Sequence, residues 1–304
     1  MAMKTTLTLI LAFVLCSHLQ AQEADTVKYW KKGGQAALNF SQVSLTNWIQ
    51  GGENSLAING FLNVFADYSR GKSIWTNHLD LAYGTLKSGD TGFRKSDDKI
   101  DFASKYGYQA SNKWYYSVLL NFRSQFAKGY NYPNDSVIIS KFLAPAYVSL
   151  GVGMDYIPID FFSVSLSPAT GRLIIVNDAT LANAGAFGVD PAKYDTTGKL
   201  LKAGKKVKPQ FGALLRITFG KDIFTNVNLK TKFELYSDYL DHPENLDVYW
   251  DVFLAMKINK WLAANLNTTL IYEDKTLITD KEGKTGPRTQ FKEVFGVGLT
   301  YMFP

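Results

Sequence analysis

The sequence predicts an all-β fold, a transmembrane antiparallel up-and-down β-barrel of about twelve strands with short periplasmic turns and long extracellular loops. Three observations predict it. The chain of 304 residues carries 20 Phe, 17 Tyr and 6 Trp, yet its mean hydropathy is slightly negative, −0.10, because apolar and polar residues are interleaved. After residue 21 no apolar run approaches the ~18 residues that a membrane helix needs. The connections between alternating segments run long, short, long, short along the chain, a rhythm that a soluble sandwich with Greek-key crossovers has no reason to keep.

Lys4, the apolar run Leu7 to Leu15 and the small residue Ala21 read as a secretory signal peptide. The expected organisation is a signal peptide over residues 1–21, a polar periplasmic lead-in over 22–33 and the barrel over 34–304. Cys16 is the single cysteine. A lipid-attachment reading of it is disfavoured, since such sites want a small residue before the cysteine and Leu15 is large. Without Cys16 the mature chain has no thiol, which excludes disulfides, thiol redox chemistry and thiolate metal sites.

The strands follow in order. Gly34 to Ser41 sets Ala36, Leu38 and Phe40 against Ala37, Asn39 and Ser41, and the phase flips at Val43 and Leu45, which marks a bulge or a strand end. Trp48, Gly51 and Gly52 then sit in a glycine-hinged loop. Ser55 to Ser69 and Ser73 to Lys87 flank the tight turn at Gly71. Lys99 to Ser111 and Lys113 to Lys128 flank Asn112; the latter shows the clearest stripe, with Trp114, Tyr116, Val118, Leu120, Phe122 and Phe126 outward. Lys141 to Tyr156 leads through Ile157-Pro158 to a seventh strand from Ile159 to about Ser167. Pro168 to Lys208 reads as the longest irregular segment, with a short helix available between Asp178 and Ala186. Gln210 to Gly220, Phe224 to Asp238, Leu246 to Ile258, Trp261 to Glu273 and Thr289 to Phe303 complete the set, with tight turns at Lys221-Asp222 and Asn259-Lys260. Trp75, Trp114, Phe161, Phe224 and Trp261 each follow a short turn, as an interfacial aromatic ring requires.

The closing strand alternates Phe291, Glu293, Phe295, Val297, Leu299, Tyr301 and Phe303 with small or polar residues, the two-residue period of a strand. Its edge is expected to pair with Gly34 to Ser41. Gly298, Tyr301 and Phe303 resemble the C-terminal signal by which outer-membrane barrels are recognised for insertion, although Pro304 follows the last aromatic. Trp30-Lys31-Lys32-Gly33-Gly34, Leu38 to Gln42 and Asn47 to Ser55 together resemble an uncharacterised Bacteroidota family, domain of unknown function 3078. The resemblance implies an outer-membrane barrel of a Gram-negative envelope and brings no activity and no catalytic residues.

Parity places Asp67, His78, Asp80, Asp101, Lys105, Arg123, Asp155, Arg216, Lys230, Lys232, Glu234, Asp247, Asp251, Lys257, Glu273 and Lys292 in the lumen. Such groups either fill a narrow interior with salt bridges or form a charged constriction that selects solutes. His78 with Asp80 on the same face, and His242 beside Asp241, are the histidine–carboxylate pairs that catalysis would use, but no nucleophile motif accompanies either. Trp48 with Gly51 and Gly52 either packs the first loop or offers a docking aromatic. The basic cluster Lys199, Lys202, Lys205, Lys206 and Lys208, in a chain of net charge +6, either solubilises an outer loop or meets lipopolysaccharide phosphates or an acidic partner.

The expected function is a small channel for polar solutes, integral to the outer membrane. A non-catalytic accessory subunit of an envelope assembly or secretion complex is the alternative, and an outer-membrane hydrolase comes third. No enzyme activity, cofactor, metal or nucleic-acid partner is expected. The expected partners are outer-membrane lipid and lipopolysaccharide, the barrel-insertion machinery and other envelope proteins.

Overall fold

The computed structural model describes residues 29–46, 52–279 and 282–303. Twelve antiparallel strands close into one barrel. In chain order they are β1 (Trp30–Val43), β2 (Ser55–Arg70), β3 (Ser73–Ser88), β4 (Arg94–Ser111), β5 (Trp114–Ser124), β6 (Ala146–Ile159), β7 (Phe162–Ile175), β8 (Val207–Phe224), β9 (Val227–Asp238), β10 (Leu246–Lys257), β11 (Leu262–Tyr272) and β12 (Gln290–Phe303). Each strand pairs with its neighbours in sequence, and β12 returns to β1, with Gly34 opposite Phe303 and Phe40 opposite Val297. Closure satisfies the backbone groups that an open sheet edge would strand in lipid.

The wall is apolar outside and polar inside because the strand period is two. On β6, Leu150 and Val152 stand outward while Ser149 and Asp155 are buried within. On β12, Phe295 and Leu299 are each 58 % exposed, and Thr300 is buried. A contiguous outer wall of this kind is suited to hydrocarbon rather than water. The chain is therefore a membrane β-barrel.

Tight connections lie at one end, at 71–72, 112–113, 160–161, 225–226 and 258–261, and the longer ones at the other, the longest being 125–145, 176–206 and 273–289. Trp75, Trp114, Phe224 and Trp261 are exposed beside the tight turns. Trp30 lies 5.2 Å from Tyr68 and 5.8 Å from Trp75, and Trp114 lies 4.8 Å from Tyr156, so parts of this girdle are neighbouring rings.

Several expected boundaries shift, each for a physical reason. Trp30 to Gly33, read as lead-in, belong to β1, where Trp30 pairs with Tyr68 of β2. β4 begins at Arg94 rather than Lys99, which brings Asp97 into the wall. β5 ends at Ser124 rather than Lys128, because the Asp98 carboxylate accepts the Phe126 and Ala127 amides at 2.7 and 2.9 Å and withdraws them from the ladder. β6 begins at Ala146 rather than Lys141; residues 141–144 form a local bridge of their own. Ile157, Pro158, Lys221 and Asp222 lie inside strands, and the turns fall at 160–161 and 225–226.

The largest difference is in Pro168 to Lys208. Residues 168–175 continue β7, and β8 starts at Val207. A bulge opposite Val152 to Met154 and Gly212 to Leu214 switches the inward set from Ser165 and Ser167 to Thr170 and Arg172. Such a bulge interrupts the alternation that identifies a strand. The helix expected between Asp178 and Ala186 is present as α1 (Ala179–Asn183), followed by a 3-10 turn at Ala186–Gly188.

Candidate functional site

Among the described residues, the lumen gathers charged and polar side chains from most of the strands. Its polar groups are paired both along the wall and across the barrel. Lys99 of β4 reaches Asp251 of β10 at 2.6 Å, and these two strands stand on opposite sides of the ring. Lys232 of β9 pairs with Asp101 of β4, Arg123 of β5 with Glu234 of β9 at 3.3 Å, and Lys292 of β12 with Asp97 of β4 at 2.5 Å. Tyr147 of β6 donates to Glu273, just past β11, at 3.1 Å. Arg172 of β7 pairs with Asp247 of β10 and donates to Gln210 at 2.7 Å.

Glu234 is the node of this network. It also pairs with Arg216 at 2.6 Å, so one buried carboxylate serves two guanidiniums. Tyrosine faces support the cations: the Arg123 guanidinium lies 4.3 Å from the Tyr249 ring centroid and that of Arg172 3.8 Å from Tyr236. Desolvation makes such pairs costly to form and costly to break singly, which favours keeping the layer assembled.

Nearer the tight-turn end, Lys105 pairs with Asp155 at 2.5 Å and donates to Ser165, while Ser117 donates to Asp155. Lys230 donates to Asn63, which in turn donates to Asp80. His78 stacks on Phe65 and lies 3.3 Å from Asp67. The carboxylate beside His78 is thus Asp67, not Asp80. Parity puts the two on one face, but the adjacent-strand register puts Asp67 nearer. Phe61 and Phe253 meet across the lumen with centroids 6.2 Å apart. Lys257 sits exposed at the rim. His242 is an exposed loop residue 3.0 Å from Glu244 and 4.0 Å from Asp241.

At the long-loop end the mouth carries a lid. Leu181 and Ala182 of α1 pack with Val176, Val189, Ala144 and the inward Ile174 in a buried apolar cluster, with Tyr147 and Phe187 against it. Asp178 caps α1 by accepting the Leu181 amide at 3.0 Å and pairs with Lys141 at 2.7 Å. The Asn177 amide donates to the Leu143 carbonyl at 2.8 Å, and Lys208 Nζ to that of Gly188 at 3.0 Å. Phe187 adopts φ 58°, a conformation bulky residues rarely take, and its ring lines the cavity beneath. Of the basic cluster, Lys205 pairs with Asp190 at 2.7 Å and Lys208 stands at the start of β8.

The Lys141 ammonium, and then the Leu181 amide, hold the Asp178 carboxyl below its ordinary range. A depressed folded pKa means the contribution is full above the unfolded value, about 3.9, and is lost as pH falls through the folded one. Proteolysis within residues 176–206 is therefore expected to accelerate below about pH 4. Asp178→Ala is expected to do the same at neutral pH by removing a cap worth about 1 kcal/mol, measured as the rate of limited proteolysis of the folded barrel.

Trp48 and Gly51, the first docking candidates, lie outside the described residues, as do the leader with Cys16 and Ala21, and Pro304. Gly52 is described, with φ 116°. Gly298, Tyr301 and Phe303 lie on β12, where Tyr301 faces outward and the Phe303 ring covers Gly34. Sequence reasoning missed Lys99, Asp97, Arg172, Tyr147, Tyr236 and Tyr249 as lumen groups. Arg172 was hidden by the bulge, and the tyrosines by their amphipathic character, which suits either face.

A family model described as "Protein of unknown function (DUF3078)" matches residues 40–130. No curated protein matches the sequence. Among solved structures, the chain is similar to an outer-membrane channel from Pseudomonas putida F1, with 12 % identity, a TM-score of 0.36, and coverage of 92 % of this chain and 99 % of that one. It is also similar to the NanC porin, with 9 % identity, a TM-score of 0.35 and coverage of 88 % and 98 %. A third likeness is to the translocator domain of the autotransporter NalP from Neisseria meningitidis, with 10 % identity, a TM-score of 0.32 and coverage of 99 % and 96 %.

Proposed function

We propose that the chain is an integral outer-membrane barrel that is closed to through-passage in this conformation and serves as a non-catalytic accessory or capture protein, with its lidded mouth facing outward. The observation that carries this reading is the Lys99–Asp251 bridge between opposite walls. It stands within the layer that also joins Lys232 to Asp101 and Arg123 to Glu234. Short turns at the termini's end support the orientation, since barrels of this class keep short turns on the periplasmic side. Insertion through Gly298, Tyr301 and Phe303, and contact of exposed loop lysines with lipopolysaccharide, belong to the same proposal.

A second reading, a gated channel for small polar solutes, is favoured by one observation. The bridges named above join side chain to side chain, so rotamer changes would open them without moving the wall. Liposome swelling separates the two readings. Vesicles holding the wild-type protein are expected to swell in arabinose or glycine no faster than empty vesicles, and swelling at a porin-like rate would replace the accessory reading with the channel.

A further inference from the structure

Between the lid and the ion-pair layer lies a cavity of about 400 Å³, within the size range of small-molecule sites. Its floor holds Arg123, Arg216 and Glu234, its sides Tyr236 and Tyr249, and its upper wall Glu273. The charges inside it are unevenly matched. Glu234 is shared by both arginines, taking Arg216 Nη2 at 2.6 Å and Arg123 Nη1 at 3.3 Å, and Nε of each arginine has no hydrogen-bond acceptor. Arg216 is 5 % exposed and Tyr236 4 %, and the Tyr236 hydroxyl is likewise without a partner. Buried donors left unsatisfied at this depth are costly unless something accepts them. At the other end Glu273 accepts from Tyr147 at 3.1 Å and Thr276 at 2.7 Å but has no cation partner among the described residues.

We infer that this cavity binds a small zwitterionic carboxylate of amino-acid to dipeptide size. Its carboxylate meets the Nε–H groups of Arg123 and Arg216, which Glu234 does not take, its amine meets Glu273, and its side chain lies beside the tyrosine rings. Guanidinium groups with open edges are the natural partners of a planar carboxylate. The rings offer an apolar wall with polar tips. Access is from the lid side, past Phe187. The inference rests on the closed-lumen reading, because an open pore has no floor to hold a solute. Conductance tests the floor and binding tests the site, so either can fail without the other.

The test is calorimetric titration of the full-length protein in detergent with alanyl-alanine, its C-terminal amide, its N-acetyl derivative and inorganic phosphate. Alanyl-alanine is expected to bind, the amide at least about tenfold more weakly through loss of the charge-assisted hydrogen bonds, and the N-acetyl form more weakly by a smaller factor. Arg216→Ala is expected to abolish binding but disturbs the buried network, so Glu273→Gln supplies an independent arm. It should weaken alanyl-alanine several-fold and leave the N-acetyl form unchanged. Absence of binding at millimolar concentration to folded wild type, equal affinity for acid and amide, or phosphate binding more tightly than alanyl-alanine would each overturn the assignment.

Discussion

Glu234→Ala is expected to destabilise the barrel by about 3–5 kcal/mol, the range found when one partner of a buried charge pair is removed. Glu234 is 4 % exposed and neutralises Arg216 at 2.6 Å and Arg123 at 3.3 Å. Its loss leaves two guanidiniums facing one another in the interior. Most of the cost is the uncompensated charge rather than the lost attraction, so Glu234→Ala with Arg216→Met should recover a large share of it. Urea titration read by the folded and unfolded bands of a heat-modifiable gel measures both variants. Lys205→Ala, which breaks the half-exposed loop pair with Asp190, is the control and should cost no more than about 1 kcal/mol. An equally small effect of Glu234→Ala would show that the lumen is wet enough to solvate the arginines.

Gly298→Ala is expected to open the seam that closes the barrel. A Cβ there would overlap the Leu38 carbonyl oxygen and lie 2.6 Å from Asn39 Cα, and these are backbone atoms that cannot turn aside. β12 must then part from β1 where Gly298 faces Asn39, at a cost of at least about 1–3 kcal/mol for overpacking. Loss of ladder bonds in lipid adds to that. The folded fraction after refolding into detergent should fall sharply. Gly171→Ala, on β7, is the matched control, because nothing lies within 4 Å of its Cβ position. Tyr301→Ala separates closure from recognition. It is an outward residue, 58 % exposed, so it should leave refolding in vitro intact while lowering insertion in cells if the C-terminal signal works as proposed.

How much of this was legible before the structure depends on whether a feature is local or global. The charged groups Asp101, Lys105, Arg123, Lys232, Glu234 and Asp251 of β4, β5, β9 and β10 were placed inward by parity, because a strand offers only two faces, whereas Lys99, Tyr236 and Tyr249 on the same strands were not. The β1–β12 seam was equally legible, since a closed ring leaves its two terminal strands no other partners. The cross-lumen pairs were not. Lys99 and Asp251 are widely separated in the chain, and their meeting depends on strand stagger around the ring, which no single segment encodes. Arg172 was lost because a bulge broke the alternation used to recognise strands. The short helix between Asp178 and Ala186 was readable, but that it would pack on Ile174 and close the mouth follows from the tertiary fold.

Single-channel recording in a planar bilayer tests the closed lumen most directly. Wild-type protein is expected to insert without conductance steps. A variant with both members of two bridges replaced, Lys99→Ser with Asp251→Ser and Lys232→Ser with Asp101→Ser, removes the obstruction in neutral pairs and is expected to show discrete steps. Steady open-channel conductance from the wild-type barrel, unchanged in the fourfold variant, would contradict the account.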